Sequence, residues 1–192
     1  PKGEQWDQAV AYWRTLPTDD GAVFDREEII DATKIGPMIT WGTSPQDVIG
    51  VDGYVPDPIK AGDADKKAYL ERALAYTGLT PGAAIEDTPI DVAFIGSCTN
   101  ARISDLRAAA SILKGRKVAN GIQAWCVPGS GLVKKEAEAE GLDKVFKDAG
   151  FEWREPGCSM CVSLGGDKFK QGGRAISSTN RNFENRQGVG VR

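Results

Sequence analysis

The stretch Ile90-Asp91-Val92-Ala93-Phe94-Ile95 runs directly into Gly96-Ser97-Cys98-Thr99-Asn100. Its first half is a nearly unbroken apolar run of strand length, the pattern of a strand buried on both faces of a parallel sheet. Its second half is a loop of small and polar residues carrying one thiol. The same pairing of apolar strand and polar loop returns three times further along the chain, and this repetition decides the fold class.

Downstream, Leu106, Ala109, Ala110 and Leu113 fall on one helical face, which predicts a helix from about Ser104 to Leu113. Gly121 to Val127 reads as a second apolar strand and is followed by Pro128-Gly129-Ser130-Gly131. Two short helices fit Leu132 to Glu140 and Leu142 to Ala149, separated by Gly141. Phe151-Glu152-Trp153 is a third strand, leading to Pro156-Gly157-Cys158-Ser159-Met160-Cys161. Ala175 to Ser178 is a fourth, leading to Thr179-Asn180-Arg181-Asn182. Strand and helix in turn predict an open α/β sheet with parallel strands. In such sheets ligands bind beyond the carboxyl ends of the strands, where all four polar loops fall.

Upstream, Asp65 to Tyr76 predicts a helix closed by Gly78. The scatter of Gly, Pro and Asp from Gly50 to Gly62 predicts a boundary near residue 58. Residues 1–58 then form a small strand-rich segment: a helix from Glu4 to Leu16, an extended run from Ala22 to Ile30, and a short strand at Pro37 to Gly42. Residues 59–192 form the α/β domain. Trp6, Trp13 and Trp41 are expected to leave apolar surface on the first segment.

Bulk properties exclude several classes. The net charge is −3 over 192 residues, with no basic run, so nucleic acid is not an expected partner. No apolar stretch reaches the length of a membrane span. The chain has no His, which removes Ser-His-Asp and Cys-His catalysis and every His-bearing metal site. Its chemistry must use Cys, carboxylates, Lys, Arg and hydroxyls, or groups lent by a partner.

Of the four cysteines, Cys126 lies inside a predicted strand beside Trp125 and reads as a core thiol. Cys98, Cys158 and Cys161 fall on the loop edge. Three thiolates without His suit soft-metal chemistry, either zinc with a fourth ligand or an iron–sulfur cluster. A redox C-x-x-C is the rival for Cys158 and Cys161, but it leaves Cys98 and the arginine loop unexplained. Arg181 and Arg186 near the same edge are suited to bidentate binding of carboxylates.

Phe94-Ile95-Gly96-Ser97-Cys98-Thr99-Asn100, Pro156-Gly157-Cys158-Ser159-Met160-Cys161 and Ser178-Thr179-Asn180-Arg181-Asn182-Phe183 together resemble the aconitase superfamily in residues, order and spacing. The flanks Thr40-Trp41-Gly42-Thr43-Ser44-Pro45 and Val127-Pro128-Gly129-Ser130-Gly131 are most similar to the branch whose large subunits isomerise isopropylmalate. The resemblance runs from about Trp6 to Gln187. It implies a three-layer α/β/α, mainly parallel sheet of the aconitase domain 1 or 3 type. It also implies a 4Fe–4S cluster on Cys98, Cys158 and Cys161, substrate carboxylates held by Arg181 and Arg186, and hydrogen bonds from Asn100 and Asn180 beside the cluster. The implied activity is dehydration and rehydration of a hydroxy-di- or tricarboxylate, in leucine biosynthesis for the isopropylmalate branch, in the cytoplasm. Homoaconitase-type hydro-lyases share much of the signature, and a non-catalytic module with an empty cluster site is the alternative from another class.

The chain also departs from the family pattern. Val162-Ser163-Leu164-Gly165-Gly166-Asp167 stands where a Met-Asn-Pro-Asp-like run is usual, and Thr179 stands where Ser is common. The family's Asp-His acid/base elements belong upstream and its serine base to a small subunit or fused swivelling domain. This chain is therefore expected to be a fragment, residues 59–192 being the third domain after the tail of the second, and inactive alone.

Overall fold

The computed structural model describes residues 2–163, 166–169 and 171–192 and divides into two compact units, residues 1–35 and 36–192. Leu164 and Gly165 of the divergent run lie outside the described residues.

In the first unit, α1 (Glu4–Trp13) sets Trp6 and Trp13 edge to face, their ring centroids 5.6 Å apart. None of its residues is buried. The expected extended run at Ala22 to Ile30 forms no strand, and Val23 and Ile29 are almost fully exposed. An apolar run becomes a strand only where a neighbour pairs with its backbone.

The second unit opens with a hairpin of β1 (Met38–Thr40) and β2 (Val48–Gly50), paired antiparallel. No strand is expected from the sequence at β2, which is only three residues long and defined by its pairing. The helix α2 (Ala64–Thr77) follows. Asp63 caps it by accepting from Lys66 N–H, and Gly78 ends it in the left-handed conformation. Its buried Leu70, Ala73 and Leu74 share a core with Trp41, Val55 and Ile85. Trp41 is thus only 6% exposed, against the expectation that it lies on an apolar surface. The hairpin closes over α2, and residues 36–58 fold with the chain that follows them.

The main sheet contains β3 (Val92–Ile95), β4 (Gln123–Cys126), β5 (Glu152–Trp153) and β6 (Ala175–Ser177), in the order β5-β4-β3-β6, all parallel. The chain is therefore a mixed α/β fold with a mainly parallel four-stranded sheet, as the alternation predicts. Its helices α3 (Ile103–Leu113), α4 (Gly131–Ala139) and α5 (Leu142–Ala149) follow β3 and β4. Leu106, Ala110, Ala137, Phe146 and Ala149 pack on Ala124 and Cys126 to form one core. On the opposite face Val92, Phe94, Trp125 and Val127 are covered by Met160, Phe169 and Val191, from the irregular chain before and after β6.

That order has a consequence for ligand binding. The chain steps outward from β3 to β4 to β5, then crosses back to place β6 on the other side of β3. The order reverses between β3 and β6, and at such a switch point the loops diverge and leave a crevice. The β5–β6 crossover carries the Cys158–Cys161 turn.

Candidate functional site

The two loops bordering the switch point are joined by Ser178. Its hydroxyl accepts from Gly96 N–H at 3.1 Å and lies 3.2 and 3.3 Å from the Gly96 and Asn100 carbonyls, which share its proton. Ser178 N–H also bonds the Phe94 carbonyl at 3.0 Å. Ser178 opens the motif Ser178-Thr179-Asn180-Arg181-Asn182-Phe183, but a Ser at a strand end carries no signal of which distant backbone it will meet.

The loop after β4 supports the Cys98 loop from the other side. Gly129 N–H bonds the Ala101 carbonyl at 2.9 Å. A Cβ on Gly129 would lie 2.9 Å from that oxygen and 3.3 Å from the Ser97 carbonyl, so only glycine allows this approach. Ser130 caps α4 by accepting from Val133 N–H at 3.2 Å.

Cys98 is exposed, with its thiol 3.7 Å from the Thr99 hydroxyl. That hydroxyl lowers the thiol's pKa, and the positive charge of Arg181 contributes in the same direction. Beside it the Ser97 hydroxyl is buried and has no hydrogen-bond partner among the described residues. Cys158 is exposed at the start of a 3₁₀ turn, Ser159–Cys161, whose Cys161 N–H bonds the Cys158 carbonyl at 2.8 Å. Cys161 is buried, and Gln187 donates to the adjoining Met160 carbonyl at 3.2 Å.

Arg186 is buried and donates to the Thr179 hydroxyl and the Arg181 carbonyl, bracing the loop that presents Arg181. Burial pushes its guanidinium pKa down, and the charge of Cys161 opposes the shift. Arg181 and Asn180 are exposed, and Asn100 is half-buried. Asn182 ties the loop to the hairpin by donating to the Gly42 carbonyl at 2.7 Å. Beside β6 a cavity of about 520 Å³ is lined by Trp41, Tyr76, Thr179, Arg181, Phe183 and Arg186, within the size range of small-molecule sites.

Cys98 thus stands on the loop after β3, and Cys158 and Cys161 on the crossover from β5 to β6. Among the described residues no three Cys, Asp or Glu side chains gather closely enough to hold a single metal ion. Thiolates that bind different irons of one cluster stand farther apart than the ligands of one ion. An all-thiol donor set is compatible with an iron–sulfur cluster. Cys126 is apart from this group, fully buried in the helix-side core, where burial drives its thiol pKa far upward.

Comparison with known proteins adds the decisive observation. The profile of the aconitase family (aconitate hydratase) matches residues 1–192. This chain belongs to the aconitase family. Among aconitase-family relatives, it is 58% identical over 192 residues to the 3-isopropylmalate dehydratase large subunit 1 of Bradyrhizobium diazoefficiens, covering all of this chain and 40% of that protein. It is 59% identical over 192 residues to the 3-isopropylmalate dehydratase large subunit of Cupriavidus necator, covering all of this chain and 72% of that protein. The chain therefore spans well under two thirds of the first of these aconitase-family proteins. No helix among its described residues is long and apolar enough to cross a membrane.

Proposed function

We propose that this chain is the cluster-bearing part of a 3-isopropylmalate dehydratase large subunit, a hydro-lyase that interconverts 2- and 3-isopropylmalate in leucine biosynthesis, in the cytoplasm. The observation that supports this reading best is the family match over the whole chain, with Cys98 on the loop after β3 and Arg181 and Arg186 on the chain after β6, the two strands that flank the switch point. Cys98, Cys158 and Cys161 would hold a 4Fe–4S cluster. When bound, such a cluster supplies a Lewis-acidic iron without a cysteine ligand, suited to a hydroxyl and a carboxylate.

The chain's own residues bind and orient. Arg181, exposed at the edge, pairs with a substrate carboxylate through a bidentate fork. Arg186 adds a second positive charge and holds the Arg181 backbone in place, so its removal weakens the site in two ways. Asn100 and Asn180 offer amide donors at the ends of the same loops. The acid/base groups that move protons would come from upstream domains of the longer protein and from a small subunit or swivelling domain. Residues 1–58 are read as the tail of the preceding domain and its linker, of which residues 36–58 pack on the chain that follows them.

The test is anaerobic reconstitution with iron and sulfide, measuring both per chain. Four irons and four sulfides are expected, with a broad visible absorbance lost in Cys98→Ser. Uptake of zinc without iron–sulfide uptake would refute the reading. Arg181→Ala should then weaken equilibrium binding of 3-isopropylmalate to the reconstituted chain, while the chain alone shows no turnover.

A further inference from the structure

Between its two thiols the Cys158–Cys161 turn contains a buried, non-glycine residue in the left-handed region, Ser159, with φ of 43°. Such a conformation is unfavourable for a residue with a Cβ and persists only where the surroundings hold it. The holding contact is visible. Ser159 Oγ donates to Asp167 Oδ2 at 2.6 Å, and the other carboxylate oxygen of Asp167 accepts from Arg154 Nη2 at 2.8 Å. The Asp167 carbonyl accepts from Ser163 Oγ at 2.8 Å, closing the chain just after Cys161. Arg154 is itself fixed to the sheet: its guanidinium lies 3.8 Å over the Trp125 ring, and its N–H bonds the Cys126 carbonyl at 2.9 Å. Phe169, two residues beyond Asp167, packs on the same indole with centroids 4.7 Å apart.

We propose that Asp167 is the positioning residue of the Cys158–Cys161 turn, carrying the rigidity of Trp125 and Arg154 on the sheet to Ser159 and so fixing the two thiols to receive a cluster. The carboxylate suits this task because it accepts two charge-assisted or short hydrogen bonds in different directions from one planar group. A neutral side chain of the same shape can satisfy Ser159 but pairs poorly with Arg154. Asp167 touches neither thiol in this role. It acts through Ser159, and the inference rests on the cluster reading above only for what the turn receives.

The experiment compares the metal-free chain with Ser159→Ala and Asp167→Asn, following iodoacetamide modification of each cysteine by mass spectrometry. Cys161 is buried and Cys98 exposed, so Cys98 serves as the standard within each molecule. Loss of one hydrogen bond to a charged group predicts about tenfold faster modification of Cys161 relative to Cys98 in either variant. The double variant should exceed the singles by much less than their product, since both remove one link. Reconstituted variants should also lose iron to a chelator faster than the parent. An unchanged Cys161 rate, or fully multiplicative effects, would overturn the inference. Ser159→Ala removes a single oxygen and keeps the test valid if Asp167→Asn unfolds. Should the parent take up no iron and sulfide while the Cys161 rates change as expected, the cluster reading fails and the positioning role stands.

Discussion

Two glycines of one motif, Gly129 and Gly131, are predicted to respond to alanine with opposite signs. A methyl at Gly129 meets backbone oxygens of Ala101 at 2.9 Å and of Ser97 at 3.3 Å, atoms belonging to the loop that carries Cys98. Backbone cannot rotate away as a side-chain tip can, so the two loops must part, and overpacking of this kind costs about 1–3 kcal/mol. A methyl at Gly131 meets nothing within 4 Å, and Gly131 is the first residue of α4. Alanine there lowers the entropy of the unfolded chain and favours the helix, a gain of a few tenths to about 1 kcal/mol. The variants should differ by roughly 2–3 kcal/mol, which at a urea m-value of about 2 kcal/mol/M is about 1–1.5 M in the unfolding midpoint. Urea titration followed by tryptophan fluorescence measures this directly. Iodoacetamide modification of Cys98 should be altered in Gly129→Ala and unchanged in Gly131→Ala. Equal midpoints, or a more stable Gly129→Ala, would refute the claim that this glycine is required by loop-on-loop contact.

Asp47 is buried and its Oδ2 accepts from Thr43 N–H at 2.8 Å, Ser44 N–H at 2.9 Å and Tyr69 OH at 2.5 Å, so Asp47→Ala should destabilise by about 2–4 kcal/mol in urea titration. The Lys147 ammonium, 2.8 Å from Asp143, holds that carboxyl's pKa below its usual value. A depressed folded-state value stabilises above the unfolded pKa and is lost as pH falls through the folded one. Asp143→Asn should therefore cost about 0.5–1 kcal/mol at pH 7 and progressively less below pH 4, read from unfolding midpoints across that range. Cys126→Ser places a hydroxyl in an apolar core and should cost about 1–3 kcal/mol without reducing iron–sulfide uptake, whereas Cys98→Ser should abolish uptake with little change in the unfolding midpoint.

The elements set by short-range chemistry were legible in the chain alone. The apolar runs Val92–Ile95 and Gln123–Cys126 are strands, Gly78 marks a helix end, and four polar loops follow four strands. Each of these depends on periodicity, capping or burial, which a residue and its near neighbours decide. Cys126 as a core thiol follows from the same logic.

What the chain did not disclose depends on partners distant in sequence. The strand β2 exists by pairing with β1, and Trp41 is buried because the hairpin closes on α2. The sheet order β5-β4-β3-β6 creates the switch point, and no local pattern encodes which edge β6 joins. Ser178, Asp167 and Gln187 gain their roles from backbone and side chains 8 to 82 positions away. The sequence by itself determined the residue types at the site and the loops that bear them. Tertiary structure decided which loops meet, that Arg186 is a buried brace while Arg181 is exposed, and how the Cys158–Cys161 turn is held, because hydrogen bonds and burial depend on distances that only the folded chain defines.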